Sequence, residues 1–322
     1  MRTLYVIGNG FDIYHQIKSN YKYFKKYLEK ENEDLLEVIG KYYDISDDSL
    51  LWWQFENVLK DFDPTELEEQ FSEYMPNYAS DDFRDRDRYD LQIFIEQELE
   101  PLKDDLQSAF NNWILSLKQP NITPKIEFEK DAIFLTFNYT DTLERIYKIN
   151  SNRILYVHNK SQQNGQDLIF GHSWKPTEWA KQREEKMPEG LSDFEQEEWM
   201  QQQSDNYDYS IMRGYEAIDS FFTSIYKDSK SIIATHNGFF SSLSDIEVIN
   251  IIGHSLSIVD RPYFEEIAQH INKQEVLWKA TYFEDKDAVE HALFIESLGI
   301  ERCLIQTYKL PETILPIQPK LF

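Results

Sequence analysis

The chain has 322 residues, of which 41% are hydrophobic and 15% aromatic, a composition typical of a folded core rather than of a disordered chain. Its formal net charge of −25 repels phosphate backbones and anionic membranes, so we expect neither general nucleic-acid binding nor a membrane partner. Its single cysteine, Cys303, excludes an internal disulfide and a cysteine-based zinc site, while the lack of a leader pattern and of an apolar run near ~18 residues predicts a cytoplasmic protein.

The first predicted element is a strand that begins at Thr3, ends in the turn Gly8-Asn9-Gly10 and leads into a helix. A strand followed by a glycine turn and a helix presents backbone N–H groups at a helix N-terminus, which is a seat for phosphate. Glycine also lets the backbone approach a ligand closely. The third glycine of the dinucleotide fingerprint is absent, since Ile13 stands there, and a tight turn without a ligand explains the motif equally well.

Further strands are predicted at residues 132–136, 154–157, 248–252, 276–283 and 302–308, and a helix at 287–298 that stops at Gly299. Strands that alternate with helices predict an α/β fold, a Rossmann-like parallel sheet with helices on both faces. We expect one domain over residues 1–322, with a core at about 1–32, 130–174 and 245–322 and helical insertions at about 33–129 and 175–244.

The first insertion contains an aromatic stripe at helical spacing. Trp52, Phe55, Leu59 and Phe62 fall on one helical face, and Glu56 lies on that face too. Glu56 is either a solvated carboxylate at the helix edge or a partly buried acid at a site.

Polar residues and glycines follow four of the predicted strands. Because the carboxyl ends of parallel strands meet along one edge of a sheet, where such folds bind ligands, these residues are candidates for a site. The segments are 7–12, 135–141, 157–159 and 252–257, with Asp260 downstream, and a further pair, Gly171-His172, follows a short apolar run. The histidines in or just after these segments are His15, His158, His172 and His254.

The motifs occur in a definite order along the chain. They are Gly8-Asn9-Gly10-Phe11-Asp12 with His15 and Ser19-x-Tyr21, then Trp52 through Glu56, Phe137 through Glu144, Gly171-His172, and Gly253-His254-Ser255-Leu256 with Asp260 and Tyr263-Phe264. This set, which spans nearly the whole chain, resembles the bacteriophage abortive-infection AbiH family. The resemblance implies a role in defence against bacteriophage.

The order of the motifs is also similar, more distantly, to that of sirtuin-type NAD-binding domains. That resemblance implies NAD as ligand and substrate, cleavage at its nicotinamide–ribose bond, and no metal. Asn138 would orient the ribose or the attacking water, and His158 would be the general base. Gly8, Asn9 and Gly10 would hold the pyrophosphate, while Gly253 and Ser255 would contact the adenosine half. The other residues assigned to the cofactor are Phe11, Asp12, His15, Thr136, Asp141, His172, His254 and Asp260.

The chain departs from the sirtuin pattern at two positions. The acid expected two residues after Asn138 is Thr140, with Asp141 one residue late, and the glycine expected after His158 is Asn159. Because asparagine tolerates positive φ better than most residues, we expect the backbone shape at Asn159 to be kept. These departures leave open a site that binds a nucleotide without turning it over.

Two alternatives to an NAD-consuming enzyme therefore stay open. A metal-dependent phosphoesterase or nuclease would use His172, His254, Asp12 and Asp260, whose side chains suit such metals although no recognised metal motif is present. A non-catalytic nucleotide sensor would bind a partner through its acidic insertions. We expect a second copy of the chain or a defence protein as partner and, for an NAD-consuming enzyme, residues 175–215 as the control surface.

Overall fold

The structure, a computed structural model, describes residues 2–117, 124–162, 168–181, 187–205 and 208–310, without the side chains of 203–205. Six parallel strands form one sheet in the order β3-β2-β1-β4-β5-β6. Their bounds are β1 Thr3–Ile7, β2 Ile133–Thr136, β3 Ile154–Tyr156, β4 Val248–Ile252, β5 Leu277–Tyr282 and β6 Ile305–Lys309. The predicted α/β fold with a parallel sheet is confirmed.

Helices connect and cover these strands. In the described ranges the α-helices are α1 (Asn9–Tyr14), α2 (Tyr21–Glu31), α3 (Glu33–Tyr42), α4 (Phe55–Val58), α5 (Thr65–Glu69), α6 (Phe71–Tyr74), α7 (Asp90–Ser116), α8 (Thr142–Arg145), α9 (Pro176–Ala180), α10 (Asp193–Asp205), α11 (Tyr209–Ser224), α12 (Ser229–Thr235), α13 (Asn237–Ser241), α14 (Arg261–His270) and α15 (Asp285–Glu296). Short 3₁₀ helices occupy Leu50–Trp52, Leu59–Asp61, Asp85–Tyr89, Ser151–Arg153, Ser242–Asp245, Ile258–Asp260 and Arg302–Leu304.

The central strands are apolar because both faces of the sheet are covered. All residues of β1 and β4 are buried. Successive side chains of a strand point to opposite faces. On the first face, Leu4 and Val6 pack in one core with α14 and α15 residues such as Phe264 and Ile295. On the second face, Tyr5 and Ile7 pack in another core with residues of α1 and α8, namely Phe11 and Leu143. Helices therefore cover both faces, as the sequence predicts.

The last helix begins two residues earlier than its sequence pattern suggests. Glu284 precedes α15 at the N-cap position, and its amide donates to the carboxylate of Asp287 at 2.8 Å. This reciprocal capping satisfies N–H groups that would otherwise lack partners at the helix start. The helix ends at Glu296, and Gly299 in the turn that follows has φ +85°, in the left-handed region that glycine adopts readily.

The chain divides into two compact units. The sheet unit comprises Met1–Tyr27, Phe110–Ile169 and Asp228–Phe322, and the helical unit comprises Leu28–Ala109 and Phe170–Lys227. Residues 110–129 and 228–244, assigned to insertions from the sequence, thus group with the sheet. None of the helices in the described ranges combines the length and the apolar character that a membrane crossing needs.

The aromatic stripe of the first insertion lies in the core of the helical unit. Trp52, Phe55, Leu59 and Phe62 are all buried, although the backbone breaks into α4 and two 3₁₀ helices instead of one continuous helix. Within that core the ring of Phe62 lies 5.0 Å from the ring of Phe221. The apolar spacing therefore identified the buried residues correctly, whereas the expectation that they share one continuous helix was wrong.

Candidate functional site

The turn that follows β1 is held against the loop that follows β4 by backbone hydrogen bonds. The amide of Gly8 donates to the carbonyl oxygen of Ile252 at 3.0 Å, and that of Gly10 donates to Gly253 at 2.7 Å. The amide of Phe11 donates to the carbonyl oxygen of Gly8 at 3.0 Å. Because these N–H groups bond to protein carbonyls, a phosphate at this turn would need other donors. The phosphate seat stays a prediction.

The glycines of these two loops are required by the close approach of their backbones. A Cβ added to Gly8 would lie 2.6 Å from the carbonyl oxygen of Gly253. A Cβ added to Gly10 would lie 2.8 Å from the Cα of Gly253. At Gly253, where φ is +65°, it would lie 2.2 Å from the amide nitrogen of Phe11. Glycine therefore has a packing reason at each of these positions.

The side chain of Asn9 fastens the same turn to the segment before α2. Its amide nitrogen donates to the backbone carbonyl of Ser19 at 3.0 Å, and its amide oxygen accepts from the Ser19 hydroxyl at 2.5 Å. Both ends of this side chain are thus engaged within the protein, so its contact to pyrophosphate stays a prediction.

His15 is a buried histidine with two protein partners. Its Nδ1 lies 2.7 Å from the carbonyl oxygen of Phe11, and its Nε2 lies 2.6 Å from the hydroxyl of Tyr147. That hydroxyl also accepts from the amides of Lys125 and Ile126, so its own proton goes to Nε2. The ring is therefore neutral with its proton on Nδ1, and burial lowers its pKa.

A group of polar side chains gathers on the second face at the end of β2. The hydroxyl of Thr140 donates to Asp12 Oδ2 at 2.6 Å and lies 3.0 Å from the hydroxyl of Thr142. The backbone N–H of Asn138 donates to the hydroxyl oxygen of Thr136 at 3.1 Å. We call Asp12, Asn138, Thr140 and Thr142 the Asp12 cluster. All four are buried.

Asp12 is a carboxylic acid with an altered titration. Burial raises its pKa from 3.8 to about 6, and the neighbouring polar side chains of Thr140, Thr142 and Asn138 oppose that rise. The neighbouring charge of Asp141 adds to the increase. Asp12 therefore changes charge close to neutral pH, which is a property shared by many acid–base groups in enzymes.

A second group of polar side chains contains two histidines and one acid. His158 follows β3, His254 follows β4, and Asp260 precedes α14. The Nε2 atoms of His158 and His254 lie 4.0 and 3.5 Å from the two carboxylate oxygens of Asp260. The Asp260 side chain makes no helix-capping hydrogen bond and lies instead beside the two imidazoles. We call these three residues the His158 cluster.

Aromatic rings enclose the His158 cluster. The ring of Phe137 lies 5.4 Å from that of His158 and 4.4 Å from that of His254. Tyr139 stacks on His158 at 5.8 Å, and Tyr263 approaches it edge-on at 6.0 Å. Side-chain exposure falls to 3% at His158 and 4% at His254. In so dry a setting the carboxylate acts more strongly on the imidazoles than it would in water.

Backbone conformation near these histidines is unusual. Asn159 has φ 62°, so the asparagine keeps the positive φ that we expected at that position. Leu256 has φ 53°, a conformation in which a residue with a large side chain is strained. Its amide donates to His254 Nδ1 at 2.9 Å, which leaves the proton of the neutral ring on Nε2, facing Asp260.

The two predicted catalytic residues belong to different clusters. Asn138 groups with Asp12, whereas His158 groups with Asp260 and packs on Phe137, a residue of the first-face core. Side chains after β2 thus alternate between the two faces of the sheet. The structure brings both residues to the carboxyl edge of the sheet but gives them different partners.

His172 lies in the helical unit and has a local packing environment. Its Nε2 is 3.1 Å from the carbonyl oxygen of Phe222, whose ring lies 4.1 Å away, and burial lowers its pKa to about 4. Gly171 has φ +153°, and a Cβ there would meet the carbonyl oxygen of Ile225 at 2.1 Å. A stable, neutral histidine explains this motif, and a cofactor contact stays a prediction.

The remaining candidates have simple environments. Asp141 stands at the N-cap position of α8 and pairs with Arg145 at 3.4 Å, while Ser255 is exposed.

In the helical unit, Glu56 is partly buried and receives a hydrogen bond from Lys227 at 2.6 Å. The side chain of Lys227 is fully buried, so Glu56 belongs to an internal ion pair rather than to a solvated helix edge.

Sequence reasoning missed Thr142, Tyr139 and Lys227 as partners of the candidate residues. The period-2 sequence of Thr136, Asn138 and Thr140 carries a signal for the Asp12 cluster, because alternate residues after a strand share a face. Lys227 gives no such signal, since nothing in the local sequence distinguishes it from a surface lysine.

The metal-dependent alternative requires its histidines and acids to assemble. Among the described ranges, no group of three or more histidine, cysteine, aspartate or glutamate side chains is arranged to hold a metal ion. The geometry on which the phosphoesterase reading depends is thus not formed by the described residues.

Comparison with known proteins matches the chain to a protein family. The model of a family described as bacteriophage abortive infection AbiH matches residues 4–282 of the chain. No curated protein and no solved structure matches it. The similarity covers β1 to β5, and with them both clusters at the edge of the sheet.

Proposed function

This chain belongs to the AbiH family of bacteriophage abortive infection proteins, and from that premise we propose that it acts in phage defence by binding NAD and hydrolysing its nicotinamide–ribose bond. The sheet order β3-β2-β1-β4-β5-β6 supports a dinucleotide ligand, because this order is typical of dinucleotide-binding sheets. The order of strands reverses between β1 and β4, and ligands of such sheets bind at the carboxyl ends of the strands there.

The observation that carries the proposed chemistry is the enclosed His158 cluster. Two imidazoles share one carboxylate at the carboxyl edge of the sheet, within an aromatic wall. A general base needs a group that accepts a proton near neutral pH and a neighbour that stabilises the charged form. In the proposal His158 is the imidazole base, and Asp260, whose Oδ1 lies 4.0 Å from His158 Nε2, is its charged neighbour.

In the proposed reaction the bond between C1′ of the ribose and the nicotinamide nitrogen breaks. Its electron pair goes to the cationic nitrogen, so nicotinamide leaves as a neutral molecule without needing a proton. A water molecule forms the new C1′–O bond to the oxocarbenium-like sugar and loses a proton to His158. The imidazolium that results is stabilised by Asp260 and returns the proton to solvent.

The first test measures NAD loss with protein purified from phage-infected cells, with and without a chelator, because an enzyme that consumes NAD must be held inactive in an uninfected host. We expect His158→Ala to lower the rate by ~10²–10⁴-fold, because a positioned general base contributes about that much. His270→Ala is the matched control, since His270 lies at the far end of α14 and pairs with Glu266 at 3.0 Å. Unchanged NAD levels with the wild-type protein, or a fully active His158→Ala protein, would contradict the proposal.

One observation favours a second candidate, a nucleotide sensor without turnover. The amide groups of Gly8, Gly10 and Phe11 are engaged with protein carbonyls, and Asn138 and His158 have separate partners. A sensor would bind NAD or a related nucleotide and leave it intact. Binding by calorimetry without NAD loss in the first test would select this candidate, and its partner would be a second copy or another defence protein.

A further inference from the structure

The Asp12 cluster contains buried polar atoms that lack hydrogen-bond partners. Asp12 is 1% exposed and Asn138 6% exposed. Among the described residues, neither Asp12 Oδ1 nor either amide atom of Asn138 reaches a partner at hydrogen-bond geometry. Asn138 still lies close enough to lower the pKa of the Asp12 carboxyl. The open atoms therefore come from two chain segments that meet at one place.

Such atoms are uncommon in folded proteins. More than about nine in ten buried polar groups are paired, because leaving one unpaired costs about 1–3 kcal/mol. Here an acceptor on Asp12 and a donor and an acceptor on Asn138 are open together. This concentration at the carboxyl edge of the sheet points to a polar group that arrives from outside the chain.

The cluster is also held in position. Thr140 donates to Asp12 Oδ2, so Thr142 is the donor to Thr140, and the chain of hydrogen bonds fixes the carboxylate. Oδ1 is left to accept from a ligand. A carboxylate beside Asp141 repels phosphate, which excludes the pyrophosphate part of a dinucleotide from this position. Hydroxyl groups fit, because they donate to the open acceptors and accept from the open amide.

We propose that Asp12 joins Asn138, the residue already expected to orient the ribose, and that the two form a subsite for the hydroxyl groups of that ribose. Asp12 Oδ1 accepts from one hydroxyl, and the Asn138 amide accepts from and donates to the neighbouring one. The subsite rests on the proposed function, in that the ribose belongs to the nucleotide bound at the edge of the sheet. It adds to that function a residue, Asp12, that selects sugar hydroxyls rather than phosphate.

The test measures ADP-ribose binding by calorimetry, because this probe keeps the ribose and lacks the bond that the proposed reaction cleaves. We expect Asp12→Asn and Asn138→Ala each to weaken binding at least tenfold, since each removes an acceptor for a hydroxyl. Asp245→Asn is the matched control, because Asp245 pairs with Arg2 before the strands begin, at the opposite edge of the sheet. This variant should bind ADP-ribose as tightly as the wild-type protein does. Thermal unfolding of each variant checks that it is folded.

A second probe separates ligand contact from a structural role. ADP-ribose without the 2′-hydroxyl of its terminal ribose should bind the wild-type protein more weakly than ADP-ribose does. In Asp12→Asn and Asn138→Ala the affinities for the two probes should differ less than in the wild-type protein, because the protein partner of the hydroxyl is already gone. If the affinity difference between the two probes is the same in the wild-type protein and in both variants, the subsite is overturned.

The outcomes distinguish the subsite from the hydrolysis. ADP-ribose binding that is equally strong in both variants overturns the subsite and leaves NAD hydrolysis standing. Binding that depends on Asp12 and Asn138 in a protein that leaves NAD intact supports the subsite and overturns hydrolysis. A wild-type protein that binds neither probe overturns the subsite.

Discussion

Asp12 shows at the scale of one residue how burial links function to stability. Its pKa in the folded protein is about 6, against 3.8 when it is solvated. The folded state therefore holds a proton that the unfolded state has lost between these pH values. The stability that this proton contributes is fully present below about pH 4 and is lost as the pH rises through about 6.

Asp12→Asn should remove this pH dependence. Between pH 4 and pH 7 we expect the free energy of unfolding of the wild-type protein to fall by about 2.4 kcal/mol relative to the variant, because a pKa shift of one unit corresponds to about 1.4 kcal/mol. Chemical denaturation at each pH measures the difference. Asp245→Asn, at an exposed ion pair, should follow the wild-type curve. A constant difference between wild type and Asp12→Asn would show that Asp12 titrates normally.

At the scale of elements, the two loops at the centre of the sheet edge form one packed unit. Gly10→Val would push a branched side chain into the backbone of Gly253, so lost nucleotide binding in that variant would report a damaged fold rather than a missing phosphate contact. Variants of the Asp12 cluster and of His158 keep these loops and test the site more directly.

Gly253→Ala should destabilise the sheet unit by more than about 2 kcal/mol, because it adds left-handed strain to an overlap with the amide of Phe11. Gly238→Ala is the matched control. It lies in α13, and nothing stands within 4 Å of the added Cβ, so we expect a gain of about 0.4–1 kcal/mol. Thermal unfolding of both variants measures the contrast. Equal effects would show that the two loops move apart easily.

At the scale of the whole molecule, a protein that consumes NAD would harm its own host if it were always active. We therefore expect cells that express the wild-type chain to grow normally and to keep their NAD until phage infection, after which NAD falls and phage yield drops. Cells with His158→Ala should keep NAD and lose protection. Time courses of NAD and plaque counts measure both effects. Toxicity of the uninfected wild-type cells would argue against gating.

The control surface assigned to residues 175–215 remains a prediction. In the described part of that segment, α10 exposes Phe194 at 67% and Met200 at 51%. Residues 182–186 and 206–207 lie outside the described residues. The net charge of −25 favours a protein or small-molecule trigger over a nucleic acid, because a nucleic-acid backbone would be repelled.

The amino-acid sequence by itself determined the fold class and the strands. Short apolar runs that end in glycine or polar residues are local signals. Five of the six strands lie within two residues of their predicted bounds, and β6 starts three residues later than predicted. The family was also readable, because its motifs are short strings that need no structure to be recognised. The positive φ at Asn159 was expected because the sirtuin-type pattern has glycine there and asparagine tolerates that conformation.

Only the tertiary structure decided which candidates meet. Asp12 comes from α1 and Asn138 from the segment after β2. His158 and His254 follow two different strands, and Asp260 joins them from the start of α14. Side chains alternate along the segment after β2, so Phe137 lies on one face of the sheet and Asn138 on the other. The sequence does not indicate which residues share each face. Hydrogen-bond partners depend on distances between segments far apart in the chain, and strand order sets those distances. Local patterns could therefore identify the candidates, whereas the pairing of the sheet determined the two clusters.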